Sequence, residues 1–153
     1  MDEQDYTIGI ISDTHGLLRP GVSTVFQDVD LIIHAGDIGS QSVLNELKSM
    51  STVVAVRGNM DHEAWARGLP LTEVAEIGKS LVYVLHDVSR LDLEPSSSGF
   101  LAVINGHTHR PLIKKQNGVL YVNPGNSGPG SSNPTVALMH IKDGTLSARV
   151  ETI

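Results

Sequence analysis

Apolar residues in this chain fall mostly in short runs of four or five, bounded by glycine or polar residues, as buried strands joined by crossovers do. Thr7–Ile11, Leu31–Ala35 and Val53–Val56 are the first three such runs. Between the second and third, Val43, Leu44, Leu47 and Met50 recur at i, i+1, i+4 and i+7, which predicts an amphipathic helix over Ser40–Met50 with Ser40 as its cap. Pro20–Phe26 supplies the preceding crossover, with Pro20 at the helix start. This alternation of strand and helix implies parallel pairing.

The second half changes character. Leu81–Leu85 and Leu101–Asn105 read as further buried strands, while Leu112–Gln116 and Val119–Asn123 flank Asn117-Gly118, a preferred hairpin turn. Thr135–Ile141 and Thr145–Val150 repeat that logic around Asp143-Gly144. The expectation is a mixed α/β fold with a C-terminal third of antiparallel hairpins and enough strands for two sheets. Only Pro95–Gly99 and Asn126–Pro134 read as loops of any length, and no internal repeat is visible.

A chain of 153 residues fits a single domain over 1–153, burying roughly two thirds of its unfolded surface. Cysteine is absent, so any transition-metal site must be built from imidazole, carboxylate and amide groups, and a reducing cytoplasm is the expected location. The start, Met1-Asp2-Glu3-Gln4-Asp5, is acidic where a signal peptide is basic, and no apolar run reaches membrane-spanning length; a soluble protein without a membrane partner is expected. The net charge of −6 argues against an extended nucleic-acid interface. Two bound divalent cations would still draw a small phosphate ester to one spot. Nothing in the sequence sets the oligomeric state.

Chemistry-bearing residues collect where these strands end. Thr7–Ile11 runs into Ser12-Asp13-Thr14-His15, Leu31–Ala35 into Gly36-Asp37, and Val53–Val56 into Arg57-Gly58-Asn59. Leu81–Leu85 ends at His86, and Ala102–Ile104 at Asn105-Gly106-His107-Thr108-His109. Ligands bind outside the carboxyl ends of strands in open α/β sheets, so these five loops are expected to converge. Alone, each Gly-Asp or Asp-x-His is an ordinary turn, and the joint pattern is what points to metal. Seven nitrogen and oxygen donors are too many for one tetrahedral ion; if Asp37 bridges, two ions receive roughly four protein ligands each, leaving positions for water and substrate.

In order and approximate spacing, Asp13-Thr14-His15, Gly36-Asp37, Gly58-Asn59, His86 and Gly106-His107-Thr108-His109 resemble the signature of the calcineurin-like metallophosphoesterases, in particular their small single-domain bacterial and archaeal phosphodiesterases. The resemblance implies a four-layer αββα sandwich of two mixed sheets. It implies a first metal on Asp13, His15, Asp37 and His109, and a second on Asp37, Asn59, His86 and His107. It further implies hydrolysis of a phosphodiester or phosphomonoester by a hydroxide bridging the two ions, with Asp37 and Asn59 at the catalytic centre. Imidazole-rich ligation points to Mn²⁺ first, with Fe, Ni, Co or Zn as alternatives. Asn123-Pro124-Gly125 looks like a segment these small members carry, and a structural role is expected for it.

Two positions depart from the pattern. Met60 stands where many relatives have a histidine that contacts phosphate or protonates the leaving group, so the acid role passes to His62 or Asp61, or the substrate needs a good leaving group. Asp87 stands where relatives commonly have glycine, an extra carboxylate expected either to brace the ligands from behind or to repel an anionic substrate, and Asp87–Gly99 is less helix-like than the family usually is there. Among other residues, His34 and His140 read as core or surface histidines, and Arg57 as half of an ion pair at the surface or behind the ligands ahead of a phosphate contact; Trp65 and Met60 are left between pocket and core. Two readings compete with the dinuclear enzyme. One is a protein-binding scaffold, since the resembled family includes a retromer coat subunit. The other is a mononuclear or purely structural metal site.

Overall fold

The computed structural model describes residues 4–153, so Met1–Glu3 of the acidic start lie outside the described residues. The apolar runs become strands within a residue or two of their expected ends: β1 (Tyr6–Ile11), β2 (Leu31–His34) and β3 (Val53–Ala55), then β5 (Ser80–Leu85) and β6 (Phe100–Ile104). The hairpins follow as β7 (Leu112–Gln116) with β8 (Val119–Asn123), and β9 (Thr135–Lys142) with β10 (Thr145–Thr152). Asn117 and Asp143 sit at φ 52° in the two turns, the left-handed backbone such tight hairpins require. The helices are α1 (Pro20–Val25), which begins on its proline, and α2 (Gln41–Met50).

Two details differ from the sequence reading, and a third follows its expectation of little helix over Asp87–Gly99. Ser40 does occupy the N-cap of α2, but its hydroxyl pairs with Ser42 Oγ at 2.9 Å and caps no backbone N–H. A strand at Thr72–Ile77, here β4, went unrecognised because only Ala75 and Ile77 of it are buried and its glutamates face water at a sheet edge. Between His86 and β6 there is no α-helix; a single 3₁₀ turn, Val88–Arg90, and the loop after it cover that region.

The strands form two mixed sheets, ordered β10-β9-β1-β2-β3 and β4-β5-β6-β8-β7. β1, β2 and β3 run parallel in the first, and β5, β6 and β8 in the second. Alternation along each strand sends neighbouring residues to opposite faces. Thus Ile8 and Ile10 join Ile33, Val84, Ile104, Val122 and Met139 between the sheets. Ile11, Ile32 and Leu138 instead face α1 and α2, against Val22, Phe26, Val43, Leu44 and Leu47. The outer face of the second sheet, with Tyr83, Leu85 and Val103, packs under Val88, Leu91 and Leu93 of the 3₁₀ turn and loop. The layers are therefore helix, sheet, sheet and a thin outer cover.

Ile10 is fully buried between the sheets, so Ile10→Ala should cost about 2–5 kcal/mol in urea unfolding through lost burial and the cavity left behind.

Candidate metal centre

Backbone conformation already marks the site. Among the described residues, seven non-glycine residues have positive φ: two are the hairpin turns, and the other five are Asp13 (58°), His15 (46°), Asp37 (57°), His107 (70°) and His109 (64°). A left-handed L-residue costs on the order of 1 kcal/mol and persists only where its surroundings enforce it. Here the enforcing contacts are hydrogen bonds between loops. Asp13 N–H donates to Gly36 C=O at 3.0 Å and His15 N–H to Asp37 C=O at 3.0 Å, which ties the loop after β1 to the loop after β2. From the second sheet, Gly106 N–H donates to His86 C=O at 2.9 Å and His107 N–H to Asp13 Oδ2 at 3.2 Å. Two glycines allow this approach: a Cβ on Gly58 would overlap the Asp37 carboxylate, and one on Gly106 would overlap Ser12 Oγ.

Side-chain hydrogen bonds then select which atoms face inward. Asp13 Oδ2 accepts from Ser12 Oγ at 2.6 Å as well as from His107 N–H, leaving Oδ1 free. Asp37 Oδ1 accepts from Met60 N–H at 2.8 Å, leaving Oδ2 free. His86 Nδ1 lies 2.7 Å from the Ala35 carbonyl, which can only accept, so Nδ1 carries the hydrogen and the neutral ring turns its Nε2 lone pair inward. Asp13 Oδ1 and His86 Nε2 are buried and have no hydrogen-bond partner. Asp37 Oδ2 lies 3.3 Å from that Nε2 without the alignment of a hydrogen bond.

The inward atoms have the spacing of ligands. Two donors each about 2.0–2.2 Å from one ion, at octahedral or tetrahedral angles, stand roughly 2.8–3.6 Å apart. His86 Nε2 to Asp37 Oδ2 and His109 Nε2 to Asp13 Oδ1 are both 3.3 Å, and His107 Nδ1 to Asn59 Oδ1 is 3.2 Å. His15 Nε2 stands 3.8 Å from Asp13 Oδ1 and 3.9 Å from Asp37 Oδ2, a few tenths wide. Two metal-sized groups result, Asp13–His15–His109 and Asp13–Asp37–His86. Five of the seven expected donors fall in these groups, which share Asp13, while Asn59 and His107 pair with each other beside His86. A buried oxygen and a buried imidazole nitrogen without partners, amid a nitrogen and oxygen donor set, fit a divalent transition metal.

Charge follows from this packing. Burial pushes the Asp37 carboxyl up, but His86 and the Met60 N–H outweigh it and hold the group below its usual range. Burial pushes His86 down, but the Asp37 carboxylate, the Ala35 carbonyl and Asp13 outweigh it and raise the imidazole above its usual value.

Other sequence candidates separate. Asp61 is buried and accepts from Ile38 N–H at 3.0 Å, Gly39 N–H at 3.1 Å and Gly58 N–H at 2.9 Å. With its oxygens occupied by main-chain donors it clamps the loops after β2 and β3, which corrects its expected place as an acid. His62 is exposed and does not line the cavity beside the site. Met60 is 59 % exposed, and Trp65 packs against the helix-side core. His140 is partly exposed, between Thr7 Oγ1 and Arg149. Asn123 Nδ2 donates to Gly106 C=O at 3.0 Å and Thr108 Oγ1 at 3.1 Å, so the Asn123-Pro124-Gly125 segment braces the histidine loop.

His34 does more than fill the core. It is fully buried; its Nδ1 accepts from Gly36 N–H at 3.1 Å, so Nε2 donates to Thr14 Oγ1 at 3.0 Å, and Thr14 donates to Ile38 C=O at 2.7 Å. This chain fixes both aspartate-bearing loops, a role with no signal in the sequence.

A cavity of about 580 Å³ opens beside Asn59, His86 and His107, lined further by Arg57, Leu71, Thr72, Leu85, Asp87 and Arg90. Among the described residues, neither Arg57 nor Arg90 forms an ion pair with a carboxylate, which corrects the expected pairing of Arg57. The sequence reading missed Arg90 because nothing in the sequence placed the 3₁₀ turn.

Comparison with known proteins agrees with this geometry. The profile of the calcineurin-like phosphoesterase superfamily domain matches residues 6–144. A probable metallophosphoesterase of Methanocaldococcus jannaschii is 39 % identical over 131 residues, covering 77 % of this chain and 66 % of that one, so the chain spans just under two thirds of that relative. Among solved structures, an archaeal phosphodiesterase superposes with a TM-score of 0.80 at 27 % identity, covering 96 % of this chain and 99 % of that one. Vacuolar protein sorting 29 of Cryptosporidium parvum gives a TM-score of 0.77 at 19 % identity, covering 99 % of both chains, a likeness of fold alone.

Burial holds His34 neutral, its pKa lowered from 6.5 to about 3. In the unfolded chain it takes up a proton near pH 6.5, so between those values the unfolded form binds more protons and acid favours unfolding. This contribution is complete above pH 6.5 and falls by about 1.4 kcal/mol per pH unit on acidification. Urea unfolding from pH 7 to 5 should show that slope in the wild type and a flatter one in His34→Gln; identical slopes would rule the assignment out.

Proposed function

The chain belongs to the calcineurin-like phosphoesterase superfamily, and from that membership we propose that it is a metal-dependent phosphodiesterase with a dinuclear centre. Asp13, His15, Asp37 and His109 hold one cation, and Asp37, Asn59, His86 and His107 hold the other, with Asp37 shared. Mn²⁺ is the preferred ion. The observation that carries this reading is the pair of buried, unpartnered atoms, Asp13 Oδ1 and His86 Nε2, turned toward each other's carboxylate and imidazole neighbours. Such atoms cost several kcal/mol in any protein that gives them no cation. Bound there, divalent cations supply Lewis-acid polarisation of the phosphoryl oxygens and a water acidic enough to attack phosphorus at neutral pH.

The chain's own residues supply position and charge. Ser12 and the His107 N–H hold the outer oxygen of Asp13, and the Met60 N–H holds that of Asp37, so each carboxylate presents one fixed oxygen. The Ala35 carbonyl fixes the ring of His86. None of Met60, Asp61 or His62 stands ready to protonate a departing alcohol: methionine carries no acidic proton, Asp61 is clamped, and His62 lies outside the cavity lining. The enzyme therefore favours esters whose leaving group departs as a stable anion.

Metal-stripped protein should hydrolyse bis-p-nitrophenyl phosphate only after Mn²⁺ is restored, and Asp37→Asn should lower that rate by at least about a hundredfold. A wild-type rate no higher than that of Asp37→Asn would sink the enzyme reading; absence of any metal binding as well would leave the fold to a protein-binding role.

A further inference from the structure

The cavity beside the second metal position has features that the metal ligands do not explain. At about 580 Å³ it is the size of pockets that hold whole organic ligands, well beyond one phosphate group. Two guanidinium groups line it, Arg57 from the loop after β3 and Arg90 from the 3₁₀ turn. Neither is paired with a carboxylate among the described residues. In a chain of net charge −6 with only 11 Lys and Arg, two such cations against the one carboxylate of Asp87 leave the cavity lining locally positive. Leu71 and Leu85 add an apolar wall and Thr72 a hydroxyl.

Asp87 completes this arrangement. Its Oδ1 accepts from Ser89 N–H at 3.0 Å and Ser89 Oγ at 2.7 Å, which caps the 3₁₀ turn that ends on Arg90. Its other oxygen lies 3.7 Å from His107 Nε2. The carboxylate is thus engaged by the turn and by the histidine, and although it also feels the charge of Arg90 it forms no salt bridge with either arginine.

Resting on the phosphodiesterase reading, we infer that the substrate is an organic pyrophosphate diester, cleaved at the phosphoanhydride, with its second phosphate held by Arg57 and Arg90. Two separate observations meet in this class. The arginines ask for a second anion beside the phosphorus under attack. The lack of a placed acid asks for a leaving group that needs no proton, and a phosphomonoester, with a second pKa near 6, leaves as an anion at neutral pH. In the reaction the oxygen of water forms the new bond to phosphorus. The bridging P–O bond breaks with its electron pair on the departing phosphate, and the protons of the water pass to solvent. Two phosphomonoesters result.

The test compares Mn²⁺-loaded protein on diadenosine pyrophosphate and on the dinucleotide adenylyl-(3′,5′)-adenosine, which has similar bulk but an alkoxide leaving group and no second phosphate, with bis-p-nitrophenyl phosphate as the reference. The pyrophosphate should be cleaved to AMP with a kcat/KM at least about a hundredfold above the dinucleotide. Arg57→Ala and Arg90→Ala should each lower its kcat/KM roughly tenfold, mostly through KM, as expected for loss of one charge-assisted phosphate contact. Calorimetry with uncleavable α,β-methylene ADP should show a matching loss of affinity in the same variants. Bis-p-nitrophenyl phosphate cleavage without a preference for the pyrophosphate, or with that preference intact in Arg57→Ala/Arg90→Ala, overturns this inference and spares the phosphodiesterase. No cleavage of any of the three overturns both.

Discussion

Two carboxylates, Asp13 and Asp37, are buried side by side at the seam between two sheets, and the rest of the site is organised around that charge. Burying one unpaired anion costs several kcal/mol, and burying two together costs more, because each repels the other in a medium of low polarity. His86 alone is an incomplete answer: its Nε2 lies 3.9 Å from Asp13 Oδ1 and 3.3 Å from Asp37 Oδ2, yet has no hydrogen bond to either. The spacing of the free donor atoms suits a divalent cation, which would answer the same charge.

The strained backbone follows from the same requirement. To bring donors from both sheets within a few ångströms, the chain must turn sharply at the end of each strand, and five donor residues take left-handed conformations to do so. Their strain is held by contacts that are themselves buried. His34, Thr14 and Asp61 lock the aspartate loops, Asn123 locks the histidine loop, and Gly58 and Gly106 leave room for the crossings. The core between the sheets then fixes the two halves of the site against each other.

Much of this was legible in the sequence, because the features that set it are local. Runs of apolar residues gave the buried strands, Asn117-Gly118 and Asp143-Gly144 gave the hairpins, and the recurrence of donors after strand ends gave the site. What was hidden depends on contacts distant in the chain. β4 pairs through its backbone and buries only Ala75 and Ile77, so its pattern carries little signal. Asp61 read as an acid because it follows Asn59 by two residues, whereas the N–H groups of Ile38 and Gly39 from the loop after β2, with that of Gly58 in its own turn, claim it. Arg57 and Arg90 are 33 positions apart, and only the folded chain places both on one cavity.

The most direct check of the account is the number of ions the protein holds. Stripped protein, equilibrated with Mn²⁺ and then counted by plasma mass spectrometry, should bind two ions per chain and unfold at a higher temperature, while Asp13→Asn should lose at least one ion and most of that gain. One ion per chain would contradict the dinuclear centre. Failure of the wild type to bind any ion would contradict the claim that the buried carboxylates exist to hold metal.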